Sequence, residues 1–150
     1  MQFVRPLLLL LGLYAVGNVA SAWNRLVDIA SWWDPKHTYS GHSSNLSITL
    51  EPGGCWCEKL EQGGFAKHLD VVLVIPRKAL RLTGGLGPLQ GMGATGALTF
   101  TLRRISNART EVVAEYAVVG YSHDGLGSLA PAVDSVLAEQ LDRFAGHGKP

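Results

Sequence analysis

The chain has 150 residues, 47% of them hydrophobic and 17% charged, and its 13 Lys and Arg against 12 Asp and Glu leave a formal net charge of +1. That size and composition suit one globular domain with one core and argue against a second. The charges are scattered, so no basic stripe can neutralise a phosphate backbone and nucleic-acid binding is disfavoured, while 18 Gly against 7 Pro suits a sheet with many tight turns rather than a disordered chain.

At the N-terminus, Met1 to Arg5 is a short basic start, Leu7 to Val16 is almost wholly apolar, and Ala20-Ser21-Ala22 has the small-x-small pattern of a signal-peptidase site. Residues 1–22 therefore read as an export segment, with residues 23–150 as the domain and an exported, periplasmic or secreted location. The same apolar run also fits a buried first strand, because periodicity does not separate the two, and that alternative implies a cytoplasmic protein. The run is about half the roughly 20 residues a membrane-spanning helix needs, so membrane association through it ranks second.

From Val19 to Trp33 the apolar residues Val19, Trp23, Leu26, Val27, Ile29, Ala30 and Trp33 recur at three- and four-residue spacing, which predicts a short amphipathic helix. Asp34-Pro35 ends it, and Lys36 to Ser44 is a polar loop holding His37, Tyr39 and His42. The period then changes to two. Strands are predicted at Leu46–Leu50, Cys55–Leu60, Ala66–Ile75, Ala79–Thr83, Ala94–Arg104 and Arg109–Gly120, joined as antiparallel hairpins. At the end, Leu129, Val133, Val136, Leu137, Leu141 and Phe144 share one helical face and Gly146 stops the helix. A long antiparallel sheet followed by one amphipathic helix is an α+β arrangement in which the sheet curls around the helix and leaves room for an apolar cavity.

Trp32-Trp33-Asp34-Pro35, His37-Thr38-Tyr39-Ser40-Gly41, Gly53-Gly54-Cys55-Trp56-Cys57-Glu58, Leu86-Gly87-Pro88-Leu89-Gln90 and Ala130-Pro131-Ala132-Val133-Asp134, in this order, resemble a bacterial branch of the START-like (SRPBCC) superfamily. The resemblance covers roughly Ala20 to Phe144. It implies a helix-grip fold, a curved antiparallel sheet wrapped on a long C-terminal helix with short helices near the cavity mouth. It also implies binding of a lipid or other small hydrophobic molecule, with a cyclase- or hydrolase-like enzyme and a chaperone-partner module as alternatives, and no cofactor. Trp32 to Gly41 would lie at the cavity entrance, with Leu86 to Gln90 and Tyr121 to Leu129 on the other side. The expected ligand-facing residues are thus Trp32, Trp33, His37, Tyr39, Trp56, His68, Leu86, Leu89, Met92, Tyr121, Leu129 and Val133.

Other constellations carry less. Cys55 and Cys57 share one strand face, with Trp56 and Glu58 on the other. A four-residue hairpin loop at Glu61 to Gly64 sets Cys57 opposite His68 and Glu58 opposite Lys67, the latter as a cross-strand ion pair. Cys55, Cys57 and His68, with His37 as a fourth group, are then candidate soft-metal ligands, although this spacing is not that of a zinc knuckle. A disulfide between them is disfavoured, since strand residues two apart stand roughly 6.5–7 Å apart at Cα. Gly91 to Gly96 matches G-x-G-x-x-G, but a strand rather than a helix follows, so no dinucleotide site is expected. Glu58, Asp70, His37, His68 and His123 are candidate acids or bases, yet no catalytic set assembles from spacing, and Asn45-Leu46-Ser47 is a chance sequon.

Overall fold

The computed structural model describes residues 7–146. Seven strands form one antiparallel sheet: β1 (Leu7–Val16), β2 (Leu46–Ile48), β3 (Cys55–Lys59), β4 (Phe65–Ile75), β5 (Ala79–Gly84), β6 (Thr95–Arg104) and β7 (Thr110–Val119), in the order β1-β7-β6-β5-β4-β3-β2. Two α-helices complete it, α1 (Val19–Val27) and α2 (Ala130–Ala145). The fold is α+β, a curved sheet gripping the C-terminal helix. Leu7–Val16 is the first strand and pairs with β7. No described helix is long and apolar enough to cross a membrane. The glycine-rich run Gly91 to Gly96 leads directly into β6.

Period-two alternation explains which face packs inward. In β7, Thr110, Val112, Ala114, Tyr116 and Val118 are buried, and the cross-strand rows Leu80–Phe100–Ala114 and Leu82–Leu98–Tyr116 continue that face across β5 and β6. Side chains two apart point the same way, so each row stacks apolar groups toward the helix layer. Gly96 belongs to this device. A Cβ there would meet the Ala117 carbonyl oxygen at 2.4 Å and the Tyr116 ring at 2.8 Å, so only glycine fits against the neighbouring strand and that ring.

Helix α1 is shorter than the sequence predicts. Asn18 caps it by accepting from the Ser21 N–H at 3.0 Å, and it ends at Asp28 rather than at Trp33. A 3-10 turn at Ile29–Ser31 follows, braced by the Ser31 hydroxyl on the Asp28 carbonyl. Ile29, Trp32 and Trp33 are buried together around this turn.

The apolar face of α2 divides in two. Leu137, Leu141 and Phe144 are buried in the core along with Gln140, whereas Val133 and Leu129, about one and two turns before Leu137, are only partly covered. The C-terminal half is also tied down. Arg25 of α1 donates to the carbonyls of Phe144 (2.6 Å) and Arg143 (3.0 Å), using groups that a helix end leaves unpaired. Arg143 in turn donates to the Trp32 carbonyl, and Gln140 Oε1 accepts from the Asp34 N–H at 2.7 Å. Gly146, with φ of 82°, closes the helix in the left-handed conformation.

Candidate functional site

Where α2 loses its grip on the core, a cavity of about 570 Å³ opens. Its walls come from the N-terminal half of α2, from the loop between α1 and β2, and from the loop between β5 and β6, which contains a 3-10 turn at Gly87–Leu89. Strand β4 contributes His68. The lining is mostly apolar, and among the lining residues His68 is the one buried polar side chain: Lys36, His37 and Tyr39 are exposed, and Thr38 is half-buried.

Local contacts hold these loops in place. Trp33 Nε1 donates to the His37 carbonyl at 3.0 Å, tightening the first loop, while its ring stands edge-on to Trp56 at 4.6 Å. In the second loop, Tyr116 Oη donates to the Gly84 carbonyl (2.8 Å) and accepts from the Leu86 N–H (3.0 Å), so a core tyrosine fixes the start of the cavity wall. Burial pushes the Tyr116 hydroxyl up from its ordinary pKa, partly opposed by the Leu86 hydrogen bond. Gln90 Nε2 donates to the Lys67 carbonyl at 2.6 Å. At the mouth, Tyr39 stacks on His68 with centroids 5.6 Å apart, and its hydroxyl donates to the Gly87 carbonyl at 3.3 Å, linking the two loops.

Beneath the cavity floor lies a buried carboxylate. Glu58 of β3 is wholly shielded from solvent. Its Oε1 accepts from the Ser40 N–H at 2.6 Å, and its Oε2 accepts from the Tyr39 N–H at 3.2 Å and lies 2.8 Å from His68 Nε2. Burial alone would raise the pKa of this carboxyl. Hydrogen bonds from Ser40, His68 and Tyr39 outweigh it and hold the carboxyl below its ordinary range. An ionised carboxylate only accepts hydrogen bonds, so Nε2 of His68 carries the hydrogen and Nδ1 is the ring's remaining polar atom.

Of the residues expected to face a ligand, Trp33, His37, Tyr39, His68, Leu86 and Leu89 line this cavity, as do Met92, Leu129 and Val133. Three do not. Trp32 is buried in the core, edge-on to Phe144 at 5.3 Å, because the 3-10 turn sends adjacent tryptophans in different directions. Trp56 is buried behind Trp33 and His68. Tyr121 is 77% exposed, past the end of β7, and stays outside. Lys36 and Thr38, within the expected entrance segment, also line the cavity, as do Leu137, from the predicted apolar face of the helix, and Ala132, which was not anticipated; Ala132 is three residues from Leu129, so helical spacing was the available signal.

The register of the β3–β4 hairpin corrects the cysteine expectations. A bulge between Trp56 and Cys57 shifts the pairing, so Cys57 faces Lys67 rather than His68, and Glu58 faces Ala66 rather than Lys67. Lys67 instead bridges to Asp70 at 2.9 Å on the surface. Cys55 and Cys57 form a disulfide with Cα atoms 5.5 Å apart, nearer than a regular strand places residues two apart. Both sulfurs are therefore consumed, and among the described residues no group of three or more His, Cys, Asp or Glu is placed to hold a metal ion. His123 is exposed and outside the cavity lining.

No family model matches the chain, and no curated protein matches it. Solved structures do share its fold. A protein from Thermobifida fusca, determined in solution, superposes with a TM-score of 0.64 at 17% identity over 92% of this chain and 90% of its own. DynU16, from the dynemicin biosynthetic locus, gives 0.56 at 20% identity over 90% of this chain. The di-domain ARO/CYC StfQ of the steffimycin biosynthetic pathway gives 0.56 at 10% identity over 95% of it. This chain spans 45% of DynU16 and 51% of StfQ. At these identities the likeness is one of fold.

Proposed function

We propose that this chain is a START-like (SRPBCC) domain that binds a small hydrophobic molecule between its sheet and the N-terminal half of α2. The observation that carries this reading is the cavity itself, about 570 Å³ and walled by Leu86, Leu89, Met92, Leu129, Val133 and Val136, within the range of small-molecule sites. Apolar ligand surface entering it gains about 25 cal/mol per Å² before association costs are subtracted. The sequence motifs and the helix-grip architecture support the same reading. A second reading, a cyclase- or hydrolase-like enzyme, draws on His37 and His68 both lining the cavity and on the ARO/CYC name of one structural neighbour. Glu58 reaches the cavity only through His68, and His37 is solvent-exposed whereas His68 is buried, which favours binding over paired acid–base chemistry in one enclosed site.

Mass spectrometry of an organic extract of the purified protein, paired with titration of the apolar dye Nile red, tests this. A co-purifying hydrophobic molecule, or saturable one-to-one dye binding that weakens at least about tenfold in Val133→Trp, is expected. An empty protein without saturable dye binding, or binding indifferent to Val133→Trp, overturns it.

A further inference from the structure

Of the polar side chains that line the cavity one is buried, and its place is built. His68 is only 6% exposed, its ring lines the cavity, and it is held on three sides: Tyr39 stacks over it, Trp56 packs against it, and Glu58 takes its Nε2 at 2.8 Å. Among the described residues no protein group is bonded to Nδ1. Nδ1 is not sealed off as Trp56 Nε1 and Gln140 Nε2 are, so it stays open to a donor that enters the cavity. The hydrogen on Nε2 is fixed by a carboxylate that has its own two backbone donors, Tyr39 and Ser40, and in the neutral ring this leaves Nδ1 as an acceptor.

We infer that the ligand is an apolar molecule carrying a hydroxyl, which donates to Nδ1 of His68. This rests on the ligand-binding reading above and adds the chemical class. Glu58 acts through His68 as a positioning residue, choosing the tautomer and aiming the ring. The sign of a preference distinguishes an anchored cavity from a plain one. A hydroxyl that enters an apolar cavity without a partner gives up its water hydrogen bonds for nothing and binds worse than its methyl ether; with an acceptor in place it binds better.

Naphthalene, naphthol, naphthol methyl ether and acetylnaphthalene, titrated against the intact protein by fluorescence or calorimetry, separate these cases. The expected result is naphthol tighter than its methyl ether by about tenfold or more, with naphthalene close to the ether. In His68→Phe, which keeps an aromatic ring beneath Tyr39, that ratio should fall to one or below. The wild-type ratio decides the matter even where the variant folds poorly. Equal binding of all four, or tightest binding of acetylnaphthalene, overturns the hydroxyl anchor while leaving a hydrophobic binder intact. Failure of every probe, naphthalene included, removes both.

Discussion

Glu58→Ala removes an acceptor shared by three donors. The Ser40 N–H at 2.6 Å, the Tyr39 N–H at 3.2 Å and His68 Nε2 at 2.8 Å would all face a void where no solvent reaches. Each buried donor left unpaired costs about 1–3 kcal/mol, partly offset because the carboxylate no longer has to be desolvated. The net expectation at neutral pH is a loss of about 3 kcal/mol, or roughly 6–12 °C in melting temperature for a domain of this size. The pH dependence has a definite sign. Because the folded carboxyl is held below its ordinary 4.5, the unfolded chain takes up the proton first as pH falls. The contribution of Glu58 is therefore fully present above about pH 4.5 and is lost as pH drops through the folded value. Urea unfolding followed by circular dichroism, for wild type and variant between neutral pH and pH about 3, measures both. A gap below about 1 kcal/mol at neutral pH, or one that fails to narrow in acid, would refute the reasoning.

Tyr116→Phe leaves the Gly84 carbonyl and the Leu86 N–H without their shared hydroxyl; a loss of about 1–3 kcal/mol is expected, with faster amide exchange at Leu86, and unchanged exchange there would count against the tyrosine as the loop's anchor. Alkylation under native, non-reducing conditions should modify neither Cys55 nor Cys57, and both after reduction, read as a mass difference. Because their loop is so short, reduction should cost no more than roughly 1.5 kcal/mol.

Much of the architecture was legible from period alone. The strands from β3 onward and α2 fall within about a residue of where alternation and three-four spacing put them, because one face of each is buried and the pattern follows burial. The failures share a cause. A bulge opposite Trp56/Cys57 adds one residue, His68, to β4, and nothing in the composition of that strand marks it; yet it moves every partner toward the hairpin loop by one. Glu58 thus looked like half of a surface ion pair, although its real partners include backbone donors of a loop 18 and 19 residues away. Gln140 was likewise invisible as a core residue, since the Asp34 N–H that pairs with its Oε1 lies 106 residues away. Trp32 and Trp33 could not be told apart before the 3-10 turn between Asp28 and Trp32 was known.

The division of α2 has a mechanical side. Arg25, Asp34 and Trp32 hold it at Gln140 to Phe144, so that end is a fulcrum and the span from Ala130 to Val136 is a lever arm over the cavity. Eleven residues of helix separate Gln140 from Leu129, about 16 Å at 1.5 Å per residue. A tilt of about 4° at the fulcrum would therefore carry Leu129 roughly 1 Å toward or away from the sheet without disturbing the packing of Phe144. On the binding proposed above, rocking that one beam would admit ligands of different girth, with melting point and capacity kept on separate ends of the same helix.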